Sequence, residues 1–355
     1  MLVSFFAPSK ARFRGRVSFW AMDNANLVSG ISAAIEQACS TLQIQAPFLS
    51  REVSHWIRQI SPDGDPCTHF THVRMFPILR LPEWLVDTLA VKPDPDFQQD
   101  LMHSSVNGYY YIRLIDDVMD GDLDHKLEVS ILPVAGFFCS QFQFFYQVHF
   151  PPKHSFWQRF RELWIASCEN AAHDSGLRTV SWSDFERVSS RKYVAAGIPL
   201  TAACYYYDRP ELIAPWVEFT CALARWSQMV DDVLDWHSDR RDQRATYFLS
   251  EGERRKRAGE SVDQWVVREG CAWGFEILEQ WMGVMRSRAA ELGSAALQAY
   301  LSQREVWLQG QKTVMLNGFA AVSGLAEILE RAARRSESGL PQVCDVPIEI
   351  EGTRV

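Results

Sequence analysis

The sequence predicts an all-α protein. Three observations carry this. Apolar residues recur at helical spacing over most of the chain. No run of alternating β-branched residues is long enough for a sheet strand. Clusters of Pro, Gly and Asp punctuate the helical stretches at Ser61-Pro-Asp-Gly-Asp-Pro66, Lys92-Pro-Asp-Pro95, Phe150-Pro-Pro152 and Asp208-Arg-Pro210. The chain has 355 residues, of which 47% are hydrophobic and 23% charged, so a packed core is expected and disorder over most of its length is excluded. Lys and Arg number 36 against 44 Asp and Glu, a net charge of −8, which argues against a nucleic-acid binder.

Read in order, residues 1–40 look like an irregular N-terminal arm, apart from a short helical pattern near 26–42. Its basic residues, Lys10, Arg12, Arg14 and Arg16, follow the short apolar start instead of preceding it, unlike a secretory signal. A helical domain is expected over 41–334, with helices near 48–60, 97–120, 127–149, 154–174, 182–206, 211–238, 262–290 and 294–333. Residues 129–150 carry no Asp, Glu, Lys or Arg. Six polar or Pro positions within them argue for a helix buried in a bundle, not a membrane span. The charged stretch Gly252–Ser261 reads as a mobile loop, and 335–355 as a disordered tail. Eight scattered cysteines without a Cys-x-x-Cys pair point to free thiols in a reducing, cytoplasmic setting. Cys67, His69 and His72 form a local cluster that lacks the second ligand pair of a zinc site.

One short motif occurs twice. Ile115-Asp116-Asp117-Val118-Met119-Asp120 and Val230-Asp231-Asp232-Val233-Leu234-Asp235 each end a long apolar helical stretch. On a helix, Asp116 and Asp120 share a face. So do Asp231, Asp235 and Asp239. Stacked carboxylates repel, and a helix C-terminus favours cations instead. Mg²⁺, a hard oxygen-seeking ion, would offset that repulsion while holding a phosphate-bearing substrate. The plainer reading is a pair of solvated acidic helix ends. Recurrence, the aromatic-rich helices before each copy and the basic residues Arg191, Lys192, Arg240, Arg241 and Arg244 favour a site.

At these residues the chain resembles the class I isoprenoid enzymes, the trans-isoprenyl diphosphate synthases and the terpene synthases of the same all-α superfamily. Ile112–Asp120 is similar to their first aspartate-rich motif, and Gln228–Asp235 to the second. The resemblance spans roughly residues 95–320. It implies a single-domain antiparallel helical bundle around a deep apolar pocket, with both motifs at its mouth. Three Mg²⁺ ions would be held by Asp116, Asp117, Asp120, Asp231, Asp235 and Asp239, with Asp116, Asp120 and Asp231 central and Asp117 supporting. Arg191 or Lys192 would contact diphosphate, as would one or two of Arg240, Arg241 and Arg244, with Arg304 a weaker candidate. A surface Arg-Lys pair is the competing reading of 191–192. A prenyl pocket would be lined by Tyr109, Tyr111, Ile112, Phe138, Phe142, Gly197 and Gln228. The same rings also suit ordinary core packing, and Gly197-Ile198-Pro199 also suits a simple kink. Homodimers are common on this fold.

Two departures set the expected activity. The Gly-Gly-Lys-Arg segment of chain-elongating synthases is absent. The Arg-Arg after their first motif is replaced by Gly121-Asp122-Leu123-Asp124-His125-Lys126. A site for one diphosphate without its partner implies a Mg²⁺-dependent terpene cyclase that ionises an allylic diphosphate. The rings upstream of Asp116 suggest farnesyl diphosphate and a sesquiterpene product. A chain-elongating synthase using isopentenyl diphosphate is the alternative, and a catalytically silent subunit of the same fold the remoter one.

Overall fold

The structure, a computed structural model, describes residues 24–61, 64–71, 75–120 and 125–338. Its elements are helices, with no strand among the described residues. The chain divides into two units, Met1–Val306 and Trp307–Val355. The first opens with α1 (Asn24–Gln45), α2 (Pro47–Gln59), α3 (Pro66–Thr71) and α4 (Leu81–Thr88). The arm predicted over 1–40 is therefore helical from Asn24, and Ile31, Ala34 and Leu42 of α1 are buried. Residues 1–23 lie outside the described residues.

Next come α5 (Pro95–Asp120), α6 (His125–His149) and α7 (Ser155–Ser175). Pro95 opens α5, where a missing N–H costs nothing. These three helices run antiparallel, as their side-chain partners show. Asp100 pairs with His149 at 2.8 Å, and the Ser104 hydroxyl donates to the Phe142 carbonyl at 2.7 Å. Phe142 packs on Phe160, and Tyr146 on Phe156. The charge-free stretch thus lies in α6, and no helix among the described residues is long and apolar enough to cross a membrane.

Close approach of α5 and α6 depends on Gly108, where an added Cβ would stand 2.8 Å from the Phe142 ring. Phe142 is hemmed in by Tyr146, Phe160 and Trp164 and cannot move aside. Ala gains about 1 kcal/mol of helix propensity over Gly, but overpacking a core costs about 1–3 kcal/mol. Gly108→Ala is therefore expected to destabilise the protein by about 1 kcal/mol net, measured by urea unfolding.

The unit continues through α8 (Trp182–Arg191), a 3₁₀ turn at Val194–Ala196, α9 (Gly197–Tyr206) and, after a second 3₁₀ turn, α10 (Ile213–Leu234). The helix predicted over 182–206, with an interruption at Gly197-Ile198-Pro199, is broken at 192–196, just before that segment. Pro199 falls in the first turn of α9, where its missing N–H has no partner to lose. Then follow α11 (Trp236–Arg241), α12 (Tyr247–Arg255), α13 (Val262–Trp265), a π-helical turn at Val266–Gly270, α14 (Cys271–Glu291) and α15 (Ala295–Ser338). The predicted mobile loop at 252–261 is instead partly α12. Glu251 pairs there with Arg254 and Arg255, and Arg268 grips Glu260 at 2.7 Å. α10 and α14 are antiparallel, with the Trp226 indole donating to the Leu278 carbonyl and Gly274 set against Val233.

The second unit is described to Ser338 and consists of the remainder of α15 from Trp307. Residues 339–355, most of the predicted tail, lie outside the described residues.

Candidate active site

The last turn of α5 treats its aspartates differently. Asp117 is anchored: its Oδ2 accepts a hydrogen bond from the Trp56 indole N–H at 2.8 Å, and its Oδ1 lies 2.7 Å from Arg113 Nη2. Asp116 is fully buried, and neither of its oxygens accepts a hydrogen bond among the described residues. Burial pushes its pKa up to about 7, against the pull of Arg113 and Lys192. A buried carboxylate without donors is costly and calls for a proton or a cation. The side chain of Asp120 lies outside the described residues, as does the 121–124 segment.

The end of α10 is built similarly. Asp232 Oδ1 accepts from Gln228 Nε2 at 2.7 Å, and Oδ2 from the Tyr247 backbone N–H at 3.2 Å. Burial raises the Asp232 pKa to about 7. The helix predicted over 211–238 stops at Leu234 and resumes as α11. Its hydrogen-bond ladder nevertheless continues across the joint. Asp235 N–H donates to the Asp231 carbonyl at 2.8 Å, and Asp239 N–H to the Asp235 carbonyl at 3.0 Å. The row Asp231, Asp235, Asp239 therefore survives the break. Asp239 is buried, and burial followed by the charges of Asp232 and Asp235 raises its pKa to about 8, with Arg244 opposing. Asp231, Asp232 and Asp239 line a narrow cavity of ≈ 30 Å³ with Asp174, Lys192 and Arg244.

Lys192 lines the cavity with Asp231, Asp232 and Asp239, and its charge also acts on Asp116. It caps α8, whose start is fixed by a Ser181–Asp184 capping box. Its side chain is 2% exposed, and Nζ lies 2.7 Å from Asp174 Oδ2 at the end of α7. The Ser167 hydroxyl holds its carbonyl. The Lys192 charge draws down the pKa of both Asp116 and Asp232. The neighbouring phenol reports the same arrangement. Burial, then the fields of Asp116, Asp231, Asp174 and Asp232, hold Tyr193 far above its ordinary value. One lysine and one tyrosine thus sit within electrostatic reach of both aspartate-rich helix ends.

The comparisons with known proteins fall here. No family model matches the chain, and no curated protein matches it. Among solved structures, a complex of T. brucei FPPS is similar at 12% identity and a TM-score of 0.46, covering 83% of this chain and 96% of that one. T. brucei farnesyl pyrophosphate synthase is similar at 12% identity and a TM-score of 0.43, covering 82% and 96%.

Among the described residues no three His, Cys, Asp or Glu side chains already converge as a metal site. The donors nevertheless suit a hard divalent ion. Asp116 has both oxygens open, and Asp239 is crowded by like charges. Asp117 accepts from Trp56 through one oxygen and lies in ion-pair contact with Arg113 through the other, and Asp232 accepts from Gln228 and the Tyr247 backbone.

The remaining candidates separate clearly. Arg191 faces solvent while Lys192 is buried, which resolves the register of that pair. Arg244 lines the cavity, whereas Arg240 pairs with Asp263 and Arg241, 69% exposed, with Asp242. Arg304 is buried over the Trp226 ring at 5.0 Å. Of the expected pocket residues, Gln228 lies at the acidic cavity. Tyr109 and Phe138 are sealed in an aromatic cluster with Trp56, His69, Phe70 and Tyr110. Closed packing thus occupies the place where the resemblance implied open space. His69 is hydrogen-bonded to Tyr109, and its zinc-cluster companion His72 lies outside the described residues. Phe142 packs against Gly108, and Gly197 against Val217. Ile112 is half-buried. Tyr111 stacks on Trp164 at 5.4 Å and lines a groove of ≈ 680 Å³ between α5 and α6, on another side of α5 from Asp116.

Sequence reasoning missed Asp174, Tyr193, Asp232, Trp56 and Arg113. Asp232 and Arg113 carried a signal: Arg113 occupies in the first motif the position of Gln228 in the second.

Proposed function

We propose that the chain is a class I isoprenoid enzyme, and specifically a Mg²⁺-dependent terpene cyclase that ionises farnesyl diphosphate and releases diphosphate. The observation that carries this reading is the approach of two repeated aspartate-rich helix ends to the same buried lysine and tyrosine. Bound Mg²⁺ would neutralise charge developing on the departing diphosphate. Asp116, Asp231 and Asp239 are the side chains to hold it, with Asp120 and Asp235 completing the rows.

The protein's own groups do the rest. Lys192 and Arg244 supply fixed positive charge for the diphosphate at the cavity. A buried site strengthens those attractions and keeps water from the cation. The absence of the Gly-Gly-Lys-Arg and Arg-Arg segments removes the recognised cationic site for a second diphosphate, which favours cyclisation over chain elongation.

The test is incubation with farnesyl diphosphate and Mg²⁺, with and without isopentenyl diphosphate, followed by gas chromatography. A hydrocarbon or alcohol formed from farnesyl diphosphate alone is the expected result. Product only with both substrates would establish chain elongation instead. Inactivity toward C10, C15 and C20 diphosphates would leave a silent subunit.

A further inference from the structure

Two cysteines meet beside the groove between α5 and α6. Phe142 of α6 packs on Trp164 of α7 with ring centroids 5.8 Å apart. Cys139 stands one turn before Phe142, and Cys168 one turn after Trp164. In an antiparallel pair those two steps run the same way along the seam, so both thiols occupy its next level. Side chains on a helix lean toward its N-terminus, and for antiparallel helices that turns Cys139 and Cys168 toward each other. Tyr111 of α5 completes the group, stacking on Trp164 and lining the groove beside Cys139. The electrostatics agree. Burial, then the Cys139 sulfur, raises the Cys168 pKa, and after burial both sulfurs raise that of Tyr111. Both cysteines are free thiols. Cys168 is exposed, and Cys139 opens onto the groove of ≈ 680 Å³. The Gln143 side-chain amide donates to Cys139 Sγ at 3.5 Å.

We infer that Cys139 and Cys168 form a peroxide-sensitive dithiol that closes to a disulfide and locks α7 to α6. The Cys139 thiolate attacks one oxygen of hydrogen peroxide, the O–O bond breaks, and the sulfur becomes a sulfenic acid as hydroxide leaves. The Cys168 thiolate then displaces hydroxide from that sulfur and forms the S–S bond. The two thiols lose two electrons and two protons, and peroxide is reduced to two waters. Cys139 reacts first because the groove admits peroxide to it and Gln143 presents a donor to its charged form, while burial keeps Cys168 protonated. Once oxidised, Cys139 no longer sets a charge against Cys168, which frees the second thiol to ionise. The bridge needs the two Cβ atoms drawn together, the direction in which both already lean. It involves none of the aspartates, so this inference stands apart from the reading of the site as one for Mg²⁺ and diphosphate.

The test is treatment of the reduced full-length protein with hydrogen peroxide, then unfolding, alkylation with iodoacetamide and mass spectrometry. Oxidised protein should take up two fewer labels than the eight its cysteines allow. Digestion should yield a peptide pair joined through Cys139 and Cys168, and dithiothreitol should restore full labelling. Because the bridge restricts the unfolded chain, oxidised protein should unfold at higher urea than reduced protein, and Cys139→Ser and Cys168→Ser should each abolish that shift. Peroxide with dimedone should label Cys139 in Cys168→Ser and leave Cys168 unlabelled in Cys139→Ser. Full alkylation after peroxide, a bridge through any other cysteine or between two chains, or a bridged protein no harder to unfold than the reduced one would overturn the proposal. Dimedone on Cys168 and not on Cys139 would overturn the order of attack. Should a variant fail to fold, the wild-type peptide map decides.

Discussion

Asp116→Ala is expected to reduce release of diphosphate from farnesyl diphosphate by about 10²–10³-fold, the range for removing one preorganised electrostatic group, while leaving the metal-free protein as stable as before or more so. The two effects separate if Asp116 serves the proposed site and not the fold. It is buried with no hydrogen-bond donor, and its pKa stands at about 7 against an ordinary 3.8. That displacement corresponds to a penalty of about 4 kcal/mol for the ionised form. The sign follows. Folding favours the protonated acid, so the penalty is absent below the unfolded value, grows as pH rises through the interval, and is complete above the folded value. At pH 8 the alanine variant escapes it, at the cost of a small cavity. Urea unfolding at pH 8 with chelator should give an equal or higher midpoint for the variant.

Lys192→Met is expected to act in the opposite way, harming fold and site together. Lys192 and Asp174 form a pair whose side chains are 2% and 13% exposed. Removing one partner of a buried pair strands the other and costs about 3–5 kcal/mol. The loss should exceed that of an isolated pair, because Lys192 also draws down Asp116 and Asp232. Arg191→Ala, one residue away and exposed, should change stability by less than about 0.5 kcal/mol. Urea unfolding of the two variants side by side checks the contrast, and diphosphate binding should fall only in Lys192→Met.

Much of the architecture could be read from local pattern. The helices at 95–120 and 125–149 stand out because their apolar positions repeat and turn-forming residues bound them. The paired motifs were legible for the same reason, as a local spacing of carboxylates. Breaks inside helical patterns were less visible. α10 ends at Leu234 within an unbroken apolar-polar rhythm, whereas the break at 192–196 was marked only by the Gly197-Ile198-Pro199 segment that follows it. The partners that complete the site were not legible at all. Asp174 meets Lys192 from the far end of α7, and Trp56 reaches Asp117 from α2, through packing that no short stretch of sequence records. Expected pocket residues went astray for a related reason. Helical phase alone cannot say whether a buried ring faces open space or other rings, and Tyr109 and Phe138 face rings.

The central claim is that both aspartate-rich helix ends serve one cation-diphosphate site. Electron paramagnetic resonance titration of Mn²⁺, with and without inorganic diphosphate, tests it most directly on wild-type protein and on the Asp116→Ala and Asp231→Ala variants. The account predicts saturable Mn²⁺ binding that diphosphate strengthens in wild type and that either substitution greatly weakens. Mn²⁺ binding indifferent to diphosphate, or retained at wild-type strength in both variants, would contradict it.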